Sequence, residues 1–128
     1  MRIRTTIKIV GVLAAVALVA VPAASAATNV HRATLAGSKA FPAVSGKAKF
    51  SVDDGVNQLE AEIQDANALA GTKVKFIVDG QKVGTDTVNG LGNARIDVSG
   101  ASVPTVSAGS KIKVVRAGGG VVARGTFS

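Results

Sequence analysis

The sequence has 128 residues with no cysteine, one histidine, four phenylalanines and neither tryptophan nor tyrosine. Without cysteine the chain has no thiol nucleophile, no thiolate metal ligand and no disulfide. Fifteen basic and eight acidic residues give a formal net charge of +7, and three of the basic residues lie in the first eight positions. The shortage of aromatic side chains removes the stacking platform that binders of single-stranded nucleic acid use, so we expect no nucleic-acid partner.

The first 26 residues have the pattern of a secretory signal peptide. Arg2, Arg4 and Lys8 make a basic start, residues 9–21 form an uncharged run of 13 residues, and Ala24-Ser25-Ala26 matches a small-x-small cleavage site. An uncleaved membrane anchor is the alternative. The apolar run is shorter than the roughly 20 residues that a membrane span needs, so we predict cleavage.

Cleavage after residue 26 leaves residues 27–128, which is 102 residues and the length of one domain. This part carries 12 basic and 8 acidic residues, a net charge of +4. We predict that it is exported to the periplasm, the cell wall or the medium, with no membrane span after cleavage.

Residues 73–98 have the pattern of three alternating runs separated by two turns. Asp79-Gly80 favours a type I′ hairpin, because both central residues of that turn need positive φ. Its register gives three cross-strand pairs, which are Val78–Gln81, Phe76–Val83 and Val74–Thr85.

A second turn at residues 89–92 predicts a third strand paired with the second one. Two pairs follow from it, Thr87–Ala94 and Thr85–Ile96. The same register places Asp86 on the outer face between Lys73 and Arg95. The residues predicted to face inward are Val74, Phe76, Val78, Val83, Ala94, Ile96 and Val98.

An earlier hairpin is predicted from the alternation of residues 47–52 and 58–64. A four-residue loop over residues 53–56 gives the pairs Phe50–Leu59, Ala48–Ala61, Lys49–Glu60 and Lys47–Glu62. Residues 58–70 also carry helical spacing and good helix formers, so a helix there is the alternative. In the strand interpretation, residues 65–71 form a loop with one helical turn.

Three more strands are predicted at residues 30–36, 111–116 and 121–127, and the long connection 99–110 crosses between sheets. About seven to eight strands with regular turn signals are typical of an all-β fold. We therefore predict that residues 27–128 form a single antiparallel β-sandwich of the immunoglobulin-like kind.

Three segments carry a resemblance to known proteins: VGT at residues 83–85, VPTVSAG at 103–109 and VVARGTF at 121–127. With them, residues 30–128 resemble short exported bacterial domains of the immunoglobulin-like β-sandwich type. Most domains of that group have no assigned activity. The resemblance implies a fold and an exported location, and it carries no functional residues over to this chain.

The sequence offers no complete catalytic or metal-binding constellation. His31 lies near the predicted mature N-terminus, where chain ends rarely hold catalytic geometry. Glu60 and Glu62 have the spacing of a glycosidase pair, but they are predicted to lie opposite lysines. Residues 53–57 lack the spacing of a calcium loop, and the glycines at 118–120 do not open a helix as a phosphate loop does. We predict no catalytic residues, no metal and no cofactor.

Basic residues form the one surface feature that points to a partner. Lys-x-Lys occurs at residues 47–49, 73–75 and 111–113, and each pair shares one face of a strand. Glutamates balance the first pair, and Asp86 partly balances the second. The third pair is unbalanced, and centring the last hairpin on Gly118-Gly119 places Arg124 opposite Lys113, a like-charge pair. The predicted basic patch consists of Lys111, Lys113 and Arg124, with Arg116 at its end. Protection of an edge strand is the alternative explanation.

From these features we expect an exported, non-enzymatic module with a structural or binding role at the cell envelope or outside the cell. Its partner would be an anionic envelope polymer that contacts the basic patch. The first alternative is an adhesive or inhibitory module that binds a protein through its loops. A more remote one is a small hydrolase that uses His31 or the Glu60–Glu62 pair.

Overall fold

A computed structural model describes residues 29–128; the predicted signal peptide at residues 1–26 lies outside this range. Residues 56–64 form a strand and residues 67–69 a single 3₁₀ turn, so the strand interpretation of residues 58–64 is confirmed and the helix alternative is wrong. Within residues 29–128 no helix is long and apolar enough to cross a membrane. The described residues contain eight strands, which are β1 (His31–Gly37), β2 (Ser45–Asp53), β3 (Val56–Gln64), β4 (Lys73–Val78), β5 (Gln81–Thr87), β6 (Ala94–Ser99), β7 (Lys111–Arg116) and β8 (Val121–Thr126).

All eight strands belong to one antiparallel sheet in the order β5-β4-β7-β8-β1-β2-β3-β6. The all-β prediction is confirmed. The sequence predicted two sheets packed as a sandwich, and the structure has one sheet. The reason is β1, which pairs with β2 over six residues and with β8 through Ala36–Arg124 and Gly37–Ala123. The terminal strands β5 and β6 also lie next to each other, so the sheet is nearly closed. It has two halves, β1-β2-β3-β6 and β5-β4-β7-β8.

The inner face of this sheet forms one hydrophobic core. Of the predicted inward residues, Val83 and Val98 are only partly buried and pack against the core, while the other five are buried. Apolar burial of this kind contributes about 25 cal/mol per Å² and is the main favourable term in folding. The largest buried side chains are Phe50, Phe76, Phe127, Leu35, Leu59, Ile63 and Ile112.

The β2–β3 hairpin has the predicted register. All four predicted pairs are present, including both lysine–glutamate pairs. Asp53 pairs with Val56, so the turn has two residues, Asp54 and Gly55, where four were predicted. Their φ values of 51° and 77° are both positive, as a type I′ turn requires. The alternation fixed the register because slipping it by one residue would move every apolar side chain to the outer face.

The β4–β5 hairpin begins as predicted and then departs from the prediction. Asp79 and Gly80 have φ of 48° and 84°, and Val78 pairs with Gln81. Beyond Ile77 the register shifts by one residue, so Phe76 pairs with Gly84 and Val74 with Asp86. The predicted pairs Phe76–Val83 and Val74–Thr85 are therefore wrong.

A β-bulge at Val83 causes this shift. The bulge places Gly84, which has no side chain, next to β6. A Cβ atom on Gly84 would lie 3.0 Å from Cγ2 of Ile96, which is tighter than ordinary van der Waals contact. The extra residue thus lets β5 approach β6 closely.

Within residues 29–128 no β-ladder joins β5 to β6. A hydrogen bond to the side chain of Asp86 on β5 links the two strands instead. The predicted pairs Thr87–Ala94 and Thr85–Ile96 are wrong, because β6 pairs with β3. Asp86 lies opposite the fully buried Val74 and is half-buried, so its predicted outer position is also wrong. Its Oδ2 accepts a hydrogen bond from the backbone N–H of Arg95 at 2.8 Å. This carboxylate satisfies a donor on the edge of β6.

Replacing Asp86 by Ala should destabilise the domain by about 1 kcal/mol, the net contribution of a typical intramolecular hydrogen bond. Asp86→Asn keeps an acceptor oxygen and should lose less. Equilibrium urea unfolding measures both values. The matched control is Asp97→Ala, an exposed carboxylate on β6, for which we expect a change within about 0.5 kcal/mol. Equal effects at the two positions would contradict this role for Asp86.

Candidate functional site

Three of the predicted patch residues lie together on the outer face of β7 and β8. Lys111 and Lys113 are exposed on β7, and Arg124 is exposed on β8 directly opposite Lys113. The predicted Lys113–Arg124 pair is confirmed. Like charges directly opposite each other destabilise a sheet, so this arrangement costs stability in the absence of an anion.

The turn between β7 and β8 makes this pairing possible. Gly118, Gly119 and Gly120 have φ of 86°, 95° and 98°, a region that residues with a Cβ rarely adopt. A register shift between Val114 and Val115 accommodates the turn. The three glycines therefore close a hairpin between strands, as predicted.

The structure places Arg116 apart from the other three residues. Arg116 pairs with the buried Val74, whereas Lys113 pairs with Ile77 on the outer face. Its guanidinium carbon lies 5.6 Å from the ring centroid of Phe41, within the range of a cation–π contact. The patch therefore consists of Lys111, Lys113 and Arg124.

These three basic residues line an open groove of about 580 Å³ on the outer face. Ile77 contributes an apolar wall, and Asp79 lies at one end. Oδ1 of Asp79 accepts a hydrogen bond from the backbone N–H of Lys111 at 2.9 Å. The acidic side chain at the groove is thus engaged with the backbone, while the basic side chains are exposed to solvent.

The other half of the sheet has a mixed outer face. Lys47 lies opposite Glu62, and Lys49 lies opposite Glu60. The two glutamates therefore face basic partners across the strands, as predicted.

His31 is the first residue of β1 and is half-buried. Its Nδ1 lies 2.8 Å from the backbone oxygen of Ser128, and its ring centroid lies 6.4 Å from that of Phe50. Although it lies near the start of the predicted mature chain, His31 is held in the sheet, because β1 pairs with β2 from His31 onwards. In the part of the chain that the structure covers, no group of three or more His, Asp or Glu residues could hold a metal ion.

The 53–57 segment contains the predicted hairpin turn, at Asp54 and Gly55, and Asn57 belongs to β3. Asn57 donates from Nδ2 to the backbone oxygen of Val103 at 2.9 Å and to Oγ1 of Thr105 at 3.3 Å. These bonds attach the connection 99–110 to the β2–β3 hairpin.

Lys82 is a neighbour of the patch that the sequence prediction missed. It lies opposite Ile77, which lies opposite Lys113. The position of Lys82 could have been predicted from the Asp79-Gly80 turn, because the pair Ile77–Lys82 follows directly from the pair Val78–Gln81.

Comparison with known proteins adds no assignment to this site. No protein-family model matches the chain, and no curated protein matches it either.

Proposed function

We propose that residues 27–128 are an exported, non-enzymatic binding module with an immunoglobulin-like β-sandwich fold. In this proposal Lys111, Lys113 and Arg124 bind an anionic polymer of the cell envelope. The observation that carries it is the groove between β4, β7 and β8, which three exposed cations line. An anion in the groove would relieve the repulsion between Lys113 and Arg124.

Strand order supports the immunoglobulin-like part of the proposal. Immunoglobulin domains have strands A, B, E and D in one sheet and C, F and G in the other. Around the nearly closed sheet, the order β2-β3-β6-β5-β4-β7-β8 equals A-B-E-D-C-F-G when β2 is strand A. Strand β5 departs from the immunoglobulin pattern, because it pairs with β4, the equivalent of C, and within residues 29–128 forms no ladder with β6, the equivalent of E. Strand β1 is an addition that links the two halves of the sheet.

The N-terminal sequence supports the exported location. A basic start, an uncharged run and a small-x-small site precede the domain in the order of a signal peptide. The non-enzymatic part is supported by composition, because the chain has no cysteine and only one histidine.

A second candidate function is protein binding through the loops. Leu91 favours it, because this large apolar side chain is 76% exposed on the β5–β6 loop. Cross-linking on intact cells would test it. A stoichiometric protein partner lost on Leu91→Asp would support this candidate, and unchanged cross-linking by the variant would count against it.

Co-sedimentation tests the main proposal. Purified residues 27–128 are mixed with the envelope fraction of the source organism across a salt series. The same is done with a Lys111→Glu/Lys113→Glu/Arg124→Glu variant. We expect the wild-type protein to pellet at low salt and the variant to stay in solution, because the variant repels anionic polymers. Reversing three exposed charges should leave folding intact, which urea unfolding checks.

The control is Lys47→Glu/Lys49→Glu, which reverses charge on the mixed face. This variant should still pellet. Protection of an edge strand does not explain the lysines of β7, because β7 lies between β4 and β8. If neither the wild-type protein nor the control pellets, the proposal is wrong.

A further inference from the structure

The bulge at Val83 makes the outer face of β4 and β5 more positive, because it removes Asp86 from that face. With the register predicted from sequence, Asp86 would lie among the lysines of β4. The bulge instead pairs Asp86 with Val74, and its carboxylate bonds to the N–H of Arg95. Lys73 and Lys75 are exposed, and their partners across β5 are the neutral Thr87 and Thr85. The second Lys-x-Lys pair is therefore unbalanced too.

Basic residues consequently extend across all four strands of this half. Lys82, Ile77, Lys113 and Arg124 are successive cross-strand partners on β5, β4, β7 and β8. Strands lie about 4.8 Å apart, so this row spans about 14 Å. Three of its four members are cations.

The two outer faces differ in net charge. The β5-β4-β7-β8 face carries six exposed cations and one acidic residue, Asp79, whose carboxylate bonds to the backbone. The β1-β2-β3-β6 face carries four cations, Arg32, Lys47, Lys49 and Arg95, and four acidic residues, Asp53, Glu60, Glu62 and Asp97. The six cations of the first face, called the basic face, are Lys73, Lys75, Lys82, Lys111, Lys113 and Arg124.

The surroundings of these cations narrow the class of ligand. All four phenylalanines are buried or half-buried on the inner side, and the chain has no tyrosine or tryptophan. The basic face therefore has no aromatic side chain on which a base or a sugar ring could stack. Five lysines act as point charges of the kind that bind phosphate, and they suit a chain that carries anions along its backbone.

We propose that the ligand is a linear phosphodiester polymer without bases, and that it lies across the four strands of the basic face. Lys73, Lys75 and Lys82 then bind it together with Lys111, Lys113 and Arg124. This inference rests on the proposed function and extends its site from two strands to four.

The test measures binding of synthetic poly(glycerol phosphate) to residues 27–128 by fluorescence anisotropy over a salt series. Three variants each remove three positive charges. The first is Lys73→Gln/Lys75→Gln/Lys82→Gln and the second is Lys111→Gln/Lys113→Gln/Arg124→Gln. The matched control, Arg32→Gln/Lys47→Gln/Lys49→Gln, lies on the mixed face.

We expect the first and second variants each to lose about tenfold or more in affinity. Each should also lower the slope of log affinity against log salt by about 2, because fewer counterions are released. The control should change both quantities much less. Polygalacturonate at equal charge concentration should compete weakly, because its carboxylates are carried on sugar rings.

The outcomes separate this inference from the proposed function. If only the second variant loses binding, the extended site is wrong and the site on β7 and β8 stands. Equal competition by polygalacturonate would overturn the phosphodiester assignment. If all three variants bind as the wild-type protein does, the basic face does not bind the polymer. Both this inference and the proposed function are then wrong.

Discussion

Gly125→Ala is expected to destabilise the domain by about 3 kcal/mol, the upper part of the range for overpacking. Gly125 lies in β8 where β1 passes close to it. A Cβ atom at this position would collide with the backbone carbonyl oxygen of Thr34. Because that atom belongs to the backbone of β1, relief requires β1 to move away from β8. The loss should appear as a lower midpoint in urea unfolding.

Gly90→Ala is the matched control for this prediction. A Cβ atom on Gly90 would meet nothing within 4 Å, and its φ lies outside the left-handed region. We expect a change within about 1 kcal/mol, with stabilisation possible because Ala restricts the unfolded chain. If Gly125→Ala were as mild as Gly90→Ala, the close junction of β1 and β8 would be wrong.

Phe76→Ala should be the most damaging single substitution in the core, at about 3–5 kcal/mol. Phe76 is fully buried in β4, and Ala would leave a cavity among its neighbours. This loss is a large part of the 5–15 kcal/mol by which domains are usually stable. Thermal unfolding followed by far-UV circular dichroism measures it.

Ile77, the residue after Phe76 in β4, is the control for this prediction. Ile77 lies on the opposite face of β4 and is half-buried, so Ile77→Ala leaves no core cavity and should cost about 1 kcal/mol. Losses of equal size would show that the two faces of β4 are not inner and outer as the structure has them.

Local patterns in the sequence predicted the hairpins well. The Asp79-Gly80 turn and the β2–β3 register both follow from neighbours in the chain, where turn chemistry and alternation act together. The bulge at Val83 was not predicted, because the reason for it is the approach of Gly84 to Ile96. That contact exists only after β5 and β6 have been brought together by the rest of the fold.

Long-range pairings escaped prediction for the same reason. The β3–β6 and β1–β8 pairs join segments that alternation along the chain cannot relate. For the site, the hairpin register correctly placed Lys113 opposite Arg124. It did not reveal that Arg116 contacts Phe41.

Chemical-shift mapping by NMR tests the central claim most directly. Backbone amides of residues 27–128 are followed as poly(glycerol phosphate) is added. We predict that the shifts concentrate on β4, β5, β7 and β8, with Lys113 among the largest, and fade as salt is raised. Shifts centred on β1, β2, β3 and β6, or on the loop that carries Leu91, would contradict the proposal that the basic face is the binding surface.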